Sequence, residues 1–74
     1  MTDSARLRQI IAASGLKIGY IAEKIGLKSP TSFYNKLDNR SEFTVREVYL
    51  LCNLLGIKAK EQKEIFFSNN VHKT

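Results

Sequence analysis

The sequence predicts an all-α fold of five short helices, and three observations carry that prediction. Apolar residues recur at helical spacing in separate segments, Gly15, Gly26 and Gly56 each follow such a segment, and no stretch alternates with period two for long enough to form a strand. A glycine in that place ends a helix in the left-handed conformation without a Cβ penalty.

Leu7, Ile10, Ile11 and Ser14 are spaced i, i+3, i+4, i+7, and Asp3 stands where a cap is needed, so a first helix is expected over Ser4 to Ser14. A second, from about Lys17 to Ile25, carries Ile21 and Ile25 on one face. The third covers residues 30–37. Ser29 is a good cap, and Pro30 suits the first helical position, where its missing N–H costs nothing. It ends near Leu37, before the turn-like Asp38-Asn39-Arg40-Ser41.

Thr44 and Glu47 form a T-x-x-E capping box that opens a fourth helix reaching Leu55. Val48, Leu51, Cys52 and Leu55 make one apolar stripe and Leu50 and Leu54 a second, the pattern of a central helix. A fifth helix is expected from about Ala59 to Ser68, with Ile65, Phe66 and Phe67 as its apolar content. One domain thus spans residues 1–68, and residues 69–74 form a fraying tail. The expected core is Leu7, Ile10, Ile21, Ala22, Ile25, Leu27, Phe33, Leu37, Val48, Leu51, Cys52 and Leu55.

A chain of 74 residues has room for little beyond one domain, and 43% apolar with 26% charged residues is a globular balance. Twelve Lys and Arg against seven Asp and Glu leave a net charge of +5, which favours polyanionic partners. Cys52 is the only cysteine, so neither an intrachain disulfide nor a thiol pair for zinc can form, and a reducing cytoplasm is the expected compartment. The longest apolar stretch, Val48 to Ile57, is interrupted by Asn53 and is about half of a membrane span. No membrane association is expected.

Catalytic chemistry has little to work with. His72 is the sole histidine and lies in the tail, Cys52 sits in an apolar stripe that argues for a buried inert thiol, and the carboxylates are scattered. No phosphate loop, no nucleophile with a base and no glycine-rich cofactor fingerprint occurs. Neither an enzyme, a cofactor nor a small-molecule ligand is expected.

Function is carried by the second and third helices, where Lys17 to Leu37 reads K-I-G-Y-I-A-E-K-I-G-L-K-S-P-T-S-F-Y-N-K-L. Ala22 is small where two helices must cross closely, Gly26 permits a sharp turn, and Ile21, Ile25 and Leu27 surround the corner. At these residues the chain resembles the phage repressor and Cro type of helix-turn-helix protein, the lambda-repressor-like or xenobiotic-response-element family of transcriptional regulators. The resemblance implies a five-helix domain with the helix-turn-helix in helices two and three. It also implies a dimer on a roughly palindromic double-stranded DNA operator and, with the small size, a Cro-like repressor of a prophage or mobile element. Phe33 falls one position later than the family's usual place for its next buried apolar residue, so the turn is one residue longer and the phase is taken from the helix itself.

If Phe33 and Leu37 point inward, a 3.6-residue period aims Thr31 and Asn35 outward, with Ser32, Tyr34 and Lys36 on the flanks. Asn can pair with adenine N6 and N7, and Thr offers a hydroxyl or a methyl to a base, so Thr31 and Asn35 lead the base-reading set, with Ser32 and Tyr34 beside them. Tyr34 can equally lie along the domain surface. Lys17, Lys28, Lys36 and Arg40 stand at the ends of the motif where phosphates would pass, and Ser29, foremost a cap, precedes amides suited to one phosphate. Gly19 lies inside the second helix, either for close approach to a phosphate or as a tolerated residue.

Phe66 and Phe67 are adjacent, so one helix cannot turn both into the same core, and one of them is the expected subunit contact. The rival reading is a protein-interaction module, antitoxin-like or an adaptor. Such a module should offer apolar anchors at i and i+4 on the third helix, where this chain has polar hydrogen-bonding residues.

Overall fold

The computed structural model describes residues 1–67, so Ser68, the tail 69–74 and His72 lie outside the described residues. Five helices follow in order: α1 (Ser4–Ser14), α2 (Ile18–Lys24), α3 (Pro30–Leu37), α4 (Val45–Leu55) and α5 (Ala59–Phe66). Among the described residues there is no strand, and the all-α expectation holds.

Side chains that satisfy orphan amides set the starts of α1, α3 and α4. Asp3 accepts the Arg6 N–H, Ser29 accepts the Ser32 N–H, and Thr44 and Glu47 close a reciprocal capping box. Left-handed residues follow α1, α2, α3 and α4, whereas α5 ends at Phe67 with φ −124°. Gly26, with φ +89°, closes α2 through bonds from the Gly26 N–H to the Glu23 carbonyl and from the Leu27 N–H to the Ala22 carbonyl, which is a Schellman motif. That motif turns the chain sharply into the segment that leads to α3.

The core is built around α4, which meets both α1 and α2, while α2 also packs on α3 and α1 on α5. Leu7, Ile21, Phe33, Leu51 and Ile65 have no exposed surface. The buried core departs from the expected one, with Ile11, Ile57, Ile65 and Phe66 added. Ile11 rather than Ile10 is the second inward residue of α1, and Ile10, Leu27 and Leu55 are half-buried at the edges of their stripes. Ile57 is buried because it follows the left-handed Gly56, where a hydrophobic residue packs back on the closed helix end. Phe66 is buried, so it belongs to the core and not to a subunit contact, whereas Phe67 is 56% exposed.

An aromatic row ties the layers together. The Phe33 ring stands edge-on to Phe43 with centroids 5.8 Å apart, and Phe43 stands edge-on to Phe66 at 5.6 Å. Phe43 lies in the segment between α3 and α4 and thus links the third helix to the fifth. Ion pairs add little at the surface: Arg6 reaches Glu64 at 2.8 Å and Arg8 reaches Asp38 at 2.6 Å, all four side chains being well exposed.

Two substitutions test this packing. Phe33→Ala should cost about 3 to 5 kcal/mol, seen as a lower urea midpoint. Gly19→Ala should raise stability by about 0.5 to 1 kcal/mol, because a methyl there meets nothing nearer than Pro30 Cγ at 3.9 Å and removes unfolded-chain entropy. The second effect should appear as a rise in Tm of a few degrees, about 4 to 8 °C per kcal/mol for a domain of this size.

Candidate nucleic-acid interface

Complete burial of Phe33 and near-complete burial of Leu37 fix the rotation of α3 about its axis. Thr31 is exposed, Asn35 half-buried, Tyr34 43% exposed and Ser32 half-buried. Thr31 and Asn35 stand one turn apart on the side away from Phe33 and Leu37, and Tyr34 flanks them.

Each end of α3 is fixed differently. At the start, the Ser29 hydroxyl accepts the Ser32 N–H at 3.3 Å and lies 3.4 Å from the Ser32 hydroxyl. Ser29 is thus occupied as a cap, and the Ser32 hydroxyl is drawn toward the helix start. At the other end the chain folds back over the last turn, with the Arg40 N–H at 2.8 Å and the Ser41 N–H at 3.3 Å both donating to the Asn35 carbonyl. The Asn39 N–H donates to the Lys36 carbonyl at 3.2 Å, and Asn39 has φ +64°.

The flanking cations divide into two kinds. Lys17, Lys28 and Arg40 are exposed, and among the described residues none of them has an ion-pair partner. Lys36 is different, being engaged within the domain and not free as expected from the sequence. Its ammonium lies 2.9 Å from the Glu47 carboxylate and donates to the Glu42 carbonyl at 2.9 Å, with only 15% of its side chain exposed. The cause is its position on the flank of α3 that faces the start of α4, which periodicity within α3 does not reveal. Asp38, an anion at the end of α3, is matched by Arg8 of α1 at 2.6 Å, so it adds less repulsion toward a polyanion.

Tyr20 and Lys24 on α2 were not singled out by sequence. Tyr20 is 45% exposed, and the Lys24 ammonium lies 5.4 Å from the centre of its ring, a cation–π contact one helical turn long. Their i, i+4 spacing is the signal that would have found them. A Cβ at Gly19 would meet Pro30 Cγ at the ordinary contact distance of 3.9 Å, so a close approach of the protein's own backbone does not require glycine there.

The described residues contain no cluster of His, Cys, Asp and Glu able to hold a metal, and no helix long and apolar enough to cross a membrane. Cys52 is buried, and that burial pushes its thiol up, against a smaller opposing effect of its hydrogen bond with Gln62. A hollow of ≈ 320 Å³ between α1 and the end of α4 is lined mainly by Ile10, Ala13, Leu55 and Ile57, with Glu61 as its one titratable group.

Comparison with protein-family models, with curated proteins and with solved structures returns no match.

The Lys36–Glu47 pair generates a prediction of its own. Burial alone would push the Glu47 carboxyl up, but the bonds from the Thr44 N–H and hydroxyl and from Lys36 outweigh it and hold the group below its usual range. A depressed folded value means that ionised Glu47 contributes stability fully present above the unfolded carboxylate value of about 4.3 and lost as pH falls through the lower folded value. Urea midpoints of wild type and Glu47→Gln should therefore differ at neutral pH and converge in acid. Lys36→Met should lower stability by about 1 to 3 kcal/mol, because it strips a mostly buried carboxylate of its partner.

Proposed function

We propose that this chain is a sequence-specific double-stranded DNA-binding regulator of transcription that lays α3 in the major groove. The observation that carries the reading is the outward side of α3, which offers Thr31, Asn35 and the flanking Tyr34 opposite an inward side locked by Phe33 and Leu37. A helix pinned from behind presents its polar side chains at fixed positions, as base reading requires. Lys17, Lys28 and Arg40 supply charge for the phosphates at the ends of the motif. The resemblance to the Cro type narrows the role to a repressor, of a prophage or mobile element, acting in the cytoplasm where Cys52 stays reduced. It has no enzymatic role in this reading.

One short helix reads too few base pairs for a useful operator, so two copies are expected on a two-fold site. Phe67 remains the candidate subunit contact after the burial of Phe66, and Val45 and Tyr49 of α4, 82% and 63% exposed, are further apolar groups available to a partner. The same exposed groups favour the second reading, a protein-interaction module of antitoxin or adaptor type. They lie on α4 and at the end of α5, however, and not on the polar outward side of α3.

Selection of bound sequences from random duplex DNA at about physiological salt tests the function, and failure to enrich any site would shift the reading to a protein partner. Asn35→Ala should weaken the preferred site by about 1 to 3 kcal/mol per half-site with non-specific binding nearly unchanged. Lys17→Ala or Lys28→Ala should weaken all duplexes alike and flatten the salt slope by about one unit for each phosphate no longer neutralised, whereas Lys36→Met should leave that slope alone. Sedimentation with and without the selected duplex checks the dimer: a single protomer on a full site defeats it, and Phe67→Glu should lower the stoichiometry or its cooperativity.

A further inference from the structure

We infer that Asn39 is a positioning residue for Arg40, holding the turn that presents Arg40 to the DNA backbone by clamping the backbone of Thr2. The inference rests on the DNA-binding reading above and adds the N-terminal segment to the site.

The helix ends supply the first observation. The left-handed position after α2 is Gly26 and that after α4 is Gly56, but after α3 it is Asn39, the one non-glycine residue with positive φ among those described. The surrounding bonds, from Asn39 to the Lys36 carbonyl and from Arg40 to the Asn35 carbonyl, are those of a Schellman motif, in which glycine is the usual occupant. Asparagine tolerates this region better than most residues, yet glycine would serve the turn with less strain. The side chain must therefore be accounted for by something beyond the turn.

Its hydrogen bonds supply the second. The Thr2 N–H donates to Asn39 Oδ1 at 2.9 Å, and Asn39 Nδ2 donates to the Thr2 carbonyl at 2.9 Å. One amide thus satisfies both backbone polar groups of Thr2, which is only 8% exposed and is the one buried polar residue among those described. The next residue continues the attachment, because the Asp3 N–H donates to the Ile65 carbonyl of α5 at 2.6 Å. The turn after α3 is consequently tied, through residues 2 and 3, to α5.

Arg40 follows directly. Its amide is held by the Asn35 carbonyl, its neighbour Asn39 by Thr2, and Asp38 by Arg8, while its own side chain is exposed and has no ion-pair partner among the described residues. A cation on a backbone pinned at successive residues loses less freedom on meeting a phosphate than one on a free loop. The bond to the Asn35 carbonyl also ties Arg40 to a base-reading residue, so the same pinning sets where the phosphate contact falls relative to base reading.

A double-mutant cycle on the full chain tests this, using Asn39→Gly, Arg40→Ala and the pair, with the selected duplex as probe over a salt series. Glycine keeps the left-handed turn, with less strain than asparagine, and removes the clamp. Asn39→Gly should shift the salt slope toward that of Arg40→Ala, a loss of about one unit, and should add nothing once Arg40 is gone. Thr2→Pro, which removes the N–H donor without touching the turn, should shift the slope in the same direction and guards against a folding defect in the glycine variant. A slope unchanged by both clamp variants, or effects that multiply in the pair, overturns the positioning role alone. Absence of duplex binding by the wild type overturns it together with the DNA reading.

Discussion

Phe33 has no exposed surface, and a side chain of that size on a helix of eight residues can be buried in only one rotation about the axis. Much of the outward side of α3 follows from that constraint. With Phe33 and one turn later Leu37 turned inward, Thr31 and Asn35 fall outward and Lys36 falls on the flank toward α4. The edge-on stack from Phe33 through Phe43 to Phe66 then makes the rotation of α3 depend on the packing of α5. A change in the packing of Phe66 would thereby be felt in the helix that we propose reads DNA.

Polar interactions refine what this packing sets. The start of α3 is capped by a single serine, but its C-terminal end is held from three directions: Arg8 on Asp38, Glu47 on Lys36, and Thr2 on Asn39. The three differ in energetic character. The Arg8–Asp38 pair is exposed and contributes little to stability, the Lys36–Glu47 pair is largely sheltered, and the Thr2–Asn39 pair consists of neutral bonds that satisfy a buried backbone. Together they restrain the C-terminal end of α3, as the base reading that we propose for this helix would require.

Charge is similarly partitioned. A net charge of +5 says nothing of where cations are free, and the ion pairs show that Arg6, Arg8 and Lys36 are engaged within the domain. Lys17, Lys28 and Arg40, at the ends of the helix pair, have no such partners among the described residues. Counting basic residues near a motif therefore overstates its electrostatic footprint. The salt dependence of the DNA binding that we propose would report the phosphates that are in fact neutralised.

The helices could be read from the chain alone, because their limits are local. Asp3, Ser29, Thr44 with Glu47, and the glycines at 15, 26 and 56 act on amides and carbonyls within a few residues of themselves, and each helix begins within a residue of the expected place. The phase of α3 was legible for the same reason, since Phe33 and Leu37 share one helical stripe. Packing between helices settled the rest: which apolar residue at a stripe's edge is buried, which of the adjacent Phe66 and Phe67 faces the core, and that Phe43 joins Phe33 to Phe66. It also settled that Lys36 is engaged by Glu47 and that Asn39 grips Thr2, pairs separated by 11 and 37 positions in the chain. Such pairings depend on how helices are brought together, and no periodicity within a single helix records that.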